Sequence, residues 1–276
     1  MTSALNRKPK RWKPSPLLGV TAFVHAGAAA CWAARPQSWP WMLGTVVANH
    51  LVLAGASLWP RSQLLGPNWT SLPRDAALRG AVAVTIDDGP DPEVTPRVLD
   101  VLEEHGAKAT FFCIGERVAR YPALVREAAQ RGHAIENHSQ HHLNYFSVLG
   151  PRGMAREIER AQEQIGSVTG EPPRFFRAPA GLRNPFLDPV LARRDLQLAS
   201  WTRRGFDTLN RNAAVVLRSL TRGIGGGDIL LLHDGHAGRT PSGSALILEV
   251  LPRLLQALAS ARLTAITLRS ALPPHA

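Results

Sequence analysis

The chain has 276 residues, of which 45% are hydrophobic and 19% are charged, a balance that excludes a disordered protein and suffices for a buried core. Its two cysteines, Cys31 and Cys113, cannot build a disulfide framework or a zinc site made of thiolates. The net charge of +11 does not indicate a nucleic-acid partner, because the first 74 residues hold eight basic and no acidic residues, while the rest holds 24 basic and 21 acidic residues.

Two uncharged, apolar runs follow a basic N-terminal arm, residues 1–16. The runs cover residues 17–34 and 41–59, and each is close to the ~20 residues that a helix needs to cross a bilayer. Six of the seven tryptophans lie in the first 69 residues and flank these runs, as aromatic residues do at a membrane interface. We expect residues 17–60 to form a transmembrane hairpin, which would make the chain a multi-pass protein of the cell (inner) membrane.

Two other interpretations of the apolar segment stay open. Residues 28–34 are rich in small side chains, which is typical of a signal peptide, here followed by a single span. The runs could also form a pair of buried helices, because His25, Asn49 and His50 weaken them as membrane spans. The basic N-terminal arm is expected to stay on the cytoplasmic side, and a hairpin returns the rest of the chain to that same side. A single span places the rest of the chain outside. Residues 61–79 are expected to be a linker.

From residue 80 onward, short apolar runs alternate with longer amphipathic stretches. The predicted strands are residues 81–86, 109–114, 133–137, 174–177, 197–201, 228–232 and 263–267. The predicted helices are residues 96–105, 122–131, 153–168, 185–194, 212–222 and 245–261, and Gly106 and Gly132 stand where two of them end. This alternation predicts an α/β fold with a parallel sheet, either a (β/α) barrel or an open doubly wound sheet.

Two adjacent carboxylates, Asp87 and Asp88, follow the first predicted strand directly. Neighbouring side chains at a strand end point in different directions, so one carboxylate can bind a metal ion while the other transfers a proton. The alternative is a solvated turn, because the Asp-Gly-Pro sequence that follows is common in turns. The pair is therefore a candidate site, and the residues near it decide between a functional site and a turn.

Further polar side chains follow later strands. His138 and His142 come after the third strand and are four residues apart, so on a helical turn their imidazoles would face one cation. Arg177, Asp207 and His233 follow the fourth, fifth and sixth strands. Taken singly, each is typical of a structural residue. Together they lie beyond the carboxyl ends of successive strands, where barrel enzymes assemble their active sites.

Four motifs in this order resemble those of the polysaccharide deacetylases of the NodB homology family, carbohydrate esterase family 4. They are Thr-Ile-Asp-Asp-Gly at 85–89, His-Ser-x-x-His at 138–142, Arg-x-Pro-x-Gly at 177–181 and Leu-Leu-His at 231–233. The resemblance covers residues 80–270 and implies a catalytic domain there. It also implies a distorted seven-stranded (β/α) barrel, which agrees with the predicted number of strands, here preceded by the two apolar helices.

The resemblance implies that a divalent metal ion, usually zinc, is bound by Asp88, His138 and His142. It further implies that Asp87 is the general base and His233 the general acid. An ion with three protein ligands keeps positions open for water and for a carbonyl oxygen. Because an amine is a poor leaving group, a general acid is needed to protonate it. This set of groups suits the hydrolysis of an amide.

Supporting roles also follow from the resemblance. Arg177 would hold the base ionised, and Asp207 would do the same for the protonated acid. The backbone N–H of Ala180 could stabilise an oxyanion. Ala180 stands where the family usually has an aromatic residue, and Thr208 stands where it usually has a tryptophan. These two departures remove walls of the sugar pocket.

The implied activity is metal-dependent removal of N-acetyl groups from N-acetylhexosamine residues of a polysaccharide or glycoconjugate. This reaction hydrolyses a carbon–nitrogen bond in a linear, non-peptide amide, and its partner is an N-acetylated carbohydrate. Three alternatives stay open. They are deacylation or deformylation of a lipid-linked sugar at the inner leaflet, a catalytically silent sugar binder anchored to the membrane, and a metal phosphoesterase, for which we find too few metal ligands.

Overall fold

The computed structural model describes residues 12–273, so most of the predicted basic arm lies outside the described part of the chain. The helices are α1 (Pro16–Ala34), α2 (Trp39–Leu58), α3 (Arg74–Leu78), α4 (Thr95–Glu104), α5 (Gly115–Arg120), α6 (Pro122–Gln130), α7 (Pro151–Thr169), α8 (Leu187–Ala192), α9 (Ala213–Thr221) and α10 (Ile247–Ser260). The strands are β1 (Ala81–Asp87), β2 (Thr110–Cys113), β3 (Ala134–Asn137), β4 (Phe175–Phe176), β5 (Gln197–Leu198), β6 (Arg203–Arg204), β7 (Ile229–His233) and β8 (Thr264–Ile266).

The two N-terminal helices, α1 and α2, pack against each other. The polar side chains that weaken them as spans meet between the helices: the side chains of Thr21 and Asn49 are hydrogen-bonded at 3.2–3.3 Å, and the rings of His25 and His50 lie 5.1 Å apart. By length and composition, α1 and residues Pro36–Leu58 are candidate membrane spans or a signal sequence. Their most apolar stretches are 0% and 6% buried, so they are not core helices of the fold.

The strands form one curled parallel sheet in the order β5-β4-β3-β2-β1-β7-β6, and β8 pairs with the amino-terminal half of β1. The result is a half-barrel of the NodB type with helices around it, and it confirms the predicted fold class. The sheet has eight strands where seven were predicted. The additional strand, β6, consists of Arg203 and Arg204, and two charged residues give no apolar pattern by which to find it.

The alternation of side chains along the strands decides which polar residues face the inside of the curl. In β1, Val82, Val84 and Ile86 belong to the core cluster under the helices, whereas Ala81 and Ala83 belong to a second cluster inside the curl. By the same alternation, every second residue after Ala83 faces inward, as far as the end of the strand. The inward set therefore ends in Thr85 and Asp87, both buried.

Two other strands obey the same parity. Phe175 of β4 and Leu231 of β7 lie in the inner cluster, so Arg177 and His233, two residues further on, face the interior as well. Asp87 and His233 are also register partners on the neighbouring strands β1 and β7. The fold thus brings three of the predicted site residues to one end of the concave face.

Residues 59–72, which we call the strap, connect α2 to the half-barrel. The strap lies along the edge strand β5: Trp69 donates its backbone N–H to the carbonyl of Leu198 at 2.9 Å, and Ser200 donates its N–H to the carbonyl of Trp69 at 2.8 Å. The ring of Trp69 also meets the edge of the Phe175 ring at 5.1 Å. This part of the expected linker is therefore packed against the sheet.

Candidate active site

The two adjacent carboxylates diverge at the end of β1. Asp87 is the last inward residue of the strand, and Asp88 has a left-handed backbone with φ of 73°. Asp tolerates this conformation better than most residues with a side chain. The backbone N–H of Asp88 still donates to the carbonyl of Phe112 at 3.2 Å, which continues the pairing with β2. The turn of the backbone directs the two carboxylates to different partners.

Asp88, His138 and His142 come together as the sequence predicts. Oδ1 of Asp88 lies 3.3 Å from Nε2 of His138 and 3.3 Å from Nε2 of His142. One ligand atom from each residue lies within 4.8 Å of the others. Nδ1 of His138 lies 2.8 Å from the backbone carbonyl of Arg177, to which it donates its proton, so that Nε2 is free to bind an ion.

These residues fit a divalent metal ion. Among the residues that the structure describes, Oδ1 of Asp88 is buried without a hydrogen-bond partner. A buried, unpaired carboxylate oxygen is costly unless it ligates a cation. One carboxylate oxygen and two imidazole nitrogens form a ligand set typical of catalytic zinc, which uses three protein ligands and leaves a position open.

The two histidines do not converge on a helical turn, and the sequence-based expectation was wrong on this point. Residues 138–142 form an irregular loop in which Ser139 and His142 have positive φ angles of 66° and 50°. Local hydrogen bonds hold it: Oδ1 of Asn137 accepts from the N–H of Ser139, and Oγ of Ser139 accepts from the N–H of His142. The imidazole of His141 turns away and bonds to Glu157 at 2.7 Å.

The protonation states of Asp88 and His142 suit metal binding. Burial raises the pKa of Asp88, but the nearby imidazoles of His138 and His236 outweigh burial and hold it well below its usual range. Burial lowers the pKa of His142 to about 4. Asp88 is therefore an anion and His142 a neutral imidazole at neutral pH, and these are the forms that bind metal ions.

Asp87 lies against a buried guanidinium group. Nη1 of Arg177 donates to Oδ1 of Asp87 at 2.6 Å and to Oγ1 of Thr85 at 2.8 Å. Its remaining donors reach the backbone carbonyls of Ala199 and Ser200. Both charged side chains are nearly inaccessible to solvent, so neither charge can be removed without leaving the other unpaired. The second oxygen of Asp87 stays available to the site.

His233 is held by Asp207 through two hydrogen bonds. Nδ1 of His233 lies 2.9 Å from Oδ1 of Asp207, and the backbone N–H of His233 donates to Oδ2 at 2.7 Å. Burial lowers the pKa of His233, but the hydrogen bond and the charge of Asp207 raise it by more. The pKa of His233 therefore lies above its usual value. With Nδ1 engaged, the proton that His233 can transfer is on Nε2.

Asp87, Asp88, His138, His142 and His233 line one open cleft of about 310 Å³, and their partners Arg177 and Asp207 are buried behind them. Its remaining lining includes Ala180, Gly181, Trp201, Arg204, Thr208 and His236. Ala180 has a left-handed φ of 54°, and its small side chain leaves that wall low. The guanidinium of Arg204 stacks over the ring of Trp201 with 5.4 Å between its Cζ and the ring centroid. Ala180 and Thr208 thus lie at the cleft, where the resemblance places them.

His236 is a site residue that the sequence analysis missed. Its Nδ1 lies 2.9 Å from Oδ2 of Asp88, the carboxylate oxygen that faces away from the other two ligands. Its Nε2 lies 3.4 Å from Nη2 of Arg117. His236 stands three residues after His233, in the loop that follows β7, and that proximity is the one signal by which the sequence could have indicated it. The hydrogen bond from His236 holds the Asp88 carboxylate in its orientation.

Replacing His236 by alanine should therefore weaken metal binding. Loss of a hydrogen bond to a ligand typically costs 10- to 100-fold in metal affinity, and we expect the Kd for zinc to rise about tenfold because His236 is half exposed. Competition with a fluorescent chelator measures this. His236→Asn is the matched control, because its side-chain amide can still donate to Asp88. An unchanged Kd in the alanine variant would contradict the role.

Comparison with known proteins gives a consistent result. The family model described as polysaccharide deacetylase matches residues 75–199. A peptidoglycan-N-acetylglucosamine deacetylase of Bacillus cereus is 37% identical over 175 residues, which are 63% of this chain and 81% of the relative. A chitooligosaccharide deacetylase of Sinorhizobium fredii is 33% identical over 166 residues, which are 60% of this chain and 77% of the relative.

A solved structure agrees with these relatives in fold. It is that of a peptidoglycan N-acetylglucosamine deacetylase in complex with a hydroxamate, and it is 27% identical to this chain. The two superpose with a TM-score of 0.67, covering 74% of this chain and 92% of the other. The chain belongs to the polysaccharide deacetylase family of carbohydrate esterase family 4, and it is a hydrolase of carbon–nitrogen bonds in non-peptide amides.

Proposed function

We propose that this protein is a zinc-dependent deacetylase that removes N-acetyl groups from N-acetylglucosamine residues of a polysaccharide or glycoconjugate. The observation that carries the proposal is the division of labour at the end of β1, where Asp88 meets two histidines and Asp87 meets Arg177. The named substrates of the relatives, peptidoglycan N-acetylglucosamine and chitooligosaccharides, support this sugar. Zinc is proposed from the ligand set.

Asp87 is the proposed general base. When zinc is bound by Asp88, His138 and His142, it supplies a Lewis acid that polarises the amide carbonyl and makes the attacking water more acidic. Oδ2 of Asp87 then accepts the proton of that water, because Oδ1 is occupied by Arg177. The buried guanidinium of Arg177 holds Oδ1 of Asp87 and so orients Oδ2 for this role.

His233 is the proposed general acid. Its Nε2 delivers a proton to the amide nitrogen as the carbon–nitrogen bond breaks, so that the amine leaves as a neutral group and acetate is released. Asp207 stabilises the protonated imidazole at Nδ1. The backbone N–H of Ala180, at the rim of the cleft, is proposed as a donor to the oxyanion. Acid and base thus act from neighbouring strands.

Acetate release tests this function. The full chain, purified in detergent, is stripped with a chelator, reloaded with zinc and incubated with N-acetylchitotetraose or with peptidoglycan fragments. We expect acetate from the reloaded protein and none from the stripped protein. Binding of the saccharides without acetate release would favour a silent sugar binder, and metal-dependent phosphate release from p-nitrophenyl phosphate would favour a phosphoesterase.

Replacing Asp207 by asparagine should shift the alkaline limb of the pH profile to lower pH. His233 acts while protonated, so activity is lost as the pH rises through its pKa. The substitution removes the charge that raises this pKa and leaves the burial that lowers it. We expect the limb in kcat/KM to move down by about one unit or more. Zinc content is measured in parallel, and an unmoved limb with zinc retained would contradict His233 as the acid.

We propose that α1 and α2 form the membrane anchor and that residues 80–270 form the catalytic domain. The length, apolar composition and low burial of the two helices support an anchor. Reporter fusions after residue 75 test which side of the membrane the catalytic domain occupies. With a hairpin, the domain lies on the side of the N-terminus. N-terminal sequencing of the purified protein tests the signal-peptide alternative, which predicts loss of the first helix.

A further inference from the structure

The last turn of α2 meets the wall of the catalytic cleft. The backbone N–H of Arg183 donates to the carbonyl of Ser57 at 3.3 Å, and Oγ of Ser200 donates to the carbonyl of Pro60 at 2.9 Å. At Gly181, which lines the cleft, an added Cβ would lie 2.7 Å from Cβ of Pro60 and 2.6 Å from the ring of Trp201. Gly181, a residue of the cleft wall, is therefore packed against the chain two residues after the end of α2.

This contact is a built interface and not the start of a loose tether. Arg183 is 2% exposed, and its guanidinium donates to the carbonyls of Ser62 and Gly66 in the strap. The strap then pairs with the edge of the sheet at Trp69 and Ala199. Nη2 of this buried arginine makes both bonds, which tie two points of the strap to the catalytic fold.

The boundary between apolar and polar surface falls at the same place. Leu58 and Trp59, at the end of α2, are 67% and 54% exposed, and Arg61 follows them. Exposed tryptophan followed by arginine is typical of a membrane interface. The 20 residues of α2 extend about 30 Å, which matches the hydrocarbon thickness of a bilayer. A bilayer that holds α2 has its surface beside Gly181.

The loops around the cleft carry exposed apolar side chains. Among described residues after position 75, five of the seven large apolar side chains that are exposed lie in loops that follow β3, β4 and β6, at the carboxyl end of the sheet. They are Tyr145, Val148, Phe186, Phe206 and Leu209. The other two are Leu78, which precedes β1, and Val215 in α9. Apolar side chains are thus concentrated on the face that carries the cleft, as on proteins that lie against a membrane.

We propose that the cleft opens onto the bilayer surface and that its substrate is an N-acetylated sugar carried on a lipid that stays in the membrane. This inference rests on the proposed deacetylase function and narrows its substrate class. The low wall at the exposed Ala180 is next to Gly181, which packs against the strap, so a sugar headgroup can enter the cleft over Ala180 while its lipid remains beside α2. A free polysaccharide gains nothing from a cleft in this position.

Two probes in the same vesicles test the substrate class. The full chain is reconstituted with zinc in vesicles of phosphatidylethanolamine and phosphatidylglycerol, and acetate is measured from octadecyl N-acetylglucosaminide in the bilayer and from N-acetylchitotetraose in solution. We expect kcat/KM for the glycolipid to exceed that for the soluble probe by about 100-fold, because enzyme and substrate share one surface. Equal values, or a preference for the soluble probe, would overturn the inference.

A matched pair of insertions tests whether activity on the glycolipid needs the cleft to be held at the bilayer surface, or only needs the protein to be attached to the membrane. A flexible Gly-Ser segment of about ten residues, with a reach of roughly 17 Å, is inserted after Leu58 to detach the catalytic fold from the anchor. The same segment inserted after Arg35, between α1 and α2, is the control. We expect the first insertion to lower glycolipid activity about tenfold with soluble activity unchanged, and the second to change neither. Full glycolipid activity after the first insertion would overturn the claim that the cleft must be held at the bilayer surface.

Labelled cysteines report the orientation without any use of activity. In a Cys31→Ser background, which leaves only the buried Cys113, an environment-sensitive fluorophore is attached at Leu209→Cys or at Leu78→Cys. The two positions are 79% and 75% exposed but lie at opposite ends of the sheet. Nitroxide-labelled lipid should quench the fluorophore at 209 and leave that at 78 unquenched, since interfacial groups lie about 5–10 Å deep. Equal quenching would overturn the orientation.

Different results of these experiments would contradict the lipid-linked substrate and the proposed deacetylase function. Acetate from the soluble probe without preference for the glycolipid removes the inference and leaves the deacetylase. Absence of acetate from both probes with zinc bound removes the proposed function, and the inference falls with it. Quenching at position 209 in that case would still describe how the protein lies on the membrane.

Discussion

Replacing Asp87 by asparagine should lower kcat for acetate release by about 10³-fold while zinc stays bound, because a general base typically contributes 10²- to 10⁴-fold. Asparagine keeps an oxygen that can accept from Arg177, so the buried guanidinium stays hydrogen-bonded. It offers no carboxylate to receive the proton of the attacking water. Steady-state kinetics with metal analysis by mass spectrometry measure both quantities on the same preparation.

The contrast between kcat and metal content makes this variant informative. If Asp87 served as a metal ligand and not as a base, the asparagine variant would lose zinc together with activity. If Asp87 were only a structural partner of Arg177, the variant would lose thermal stability and keep its kcat. Either result would contradict the assignment. Thermal unfolding followed by circular dichroism provides the control for the fold.

Replacing His138 by alanine should abolish metal retention and acetate release together. His138 is 2% exposed and is one of three residues whose ligand atoms lie within 4.8 Å of one another. Because changes beside a ligand already cost up to 100-fold in affinity, loss of a ligand should raise the Kd for zinc by more than about 100-fold. Isothermal titration and acetate release measure the two effects.

His141→Ala is the matched control for this variant. His141 belongs to the same loop, but its imidazole is bonded to Glu157 and points away from the other histidines. We expect it to retain zinc and most of the activity. Full activity of His138→Ala would remove the basis for a metal enzyme at this site. Equal loss of zinc in both variants would instead indicate that the loop as a whole, and not the His138 ligand, determines binding.

The sequence predicts most of the fold because its periodicity is regular after residue 80. All seven predicted strands and six predicted helices correspond to observed elements, with shifts of a few residues at most. The side-chain parity along β1 and β7 also follows from the sequence, and it places Asp87 and His233 on the inner face. The sequence therefore indicates which polar residues at the strand ends face the site.

Contacts that depend on the backbone could not be found in this way. The loop at 138–142 brings its histidines together through positive φ angles and short-range hydrogen bonds, which a spacing of four residues does not distinguish from a helical turn. His236 reaches Asp88 from a loop without periodicity. Arg183 binds the strap through backbone carbonyls, and any residue can supply a carbonyl. The sequence therefore gives no sign of that interface.

The position of Trp69 has a practical consequence for producing the enzyme without its apolar helices. A shortened protein that begins at residue 80 would remove the pairing partner of β5 and uncover Phe175. An open strand edge next to an exposed aromatic ring is prone to join a second copy, which favours aggregation in the test tube. Expression should therefore start near Pro60, so that the soluble enzyme keeps its own cover over that edge.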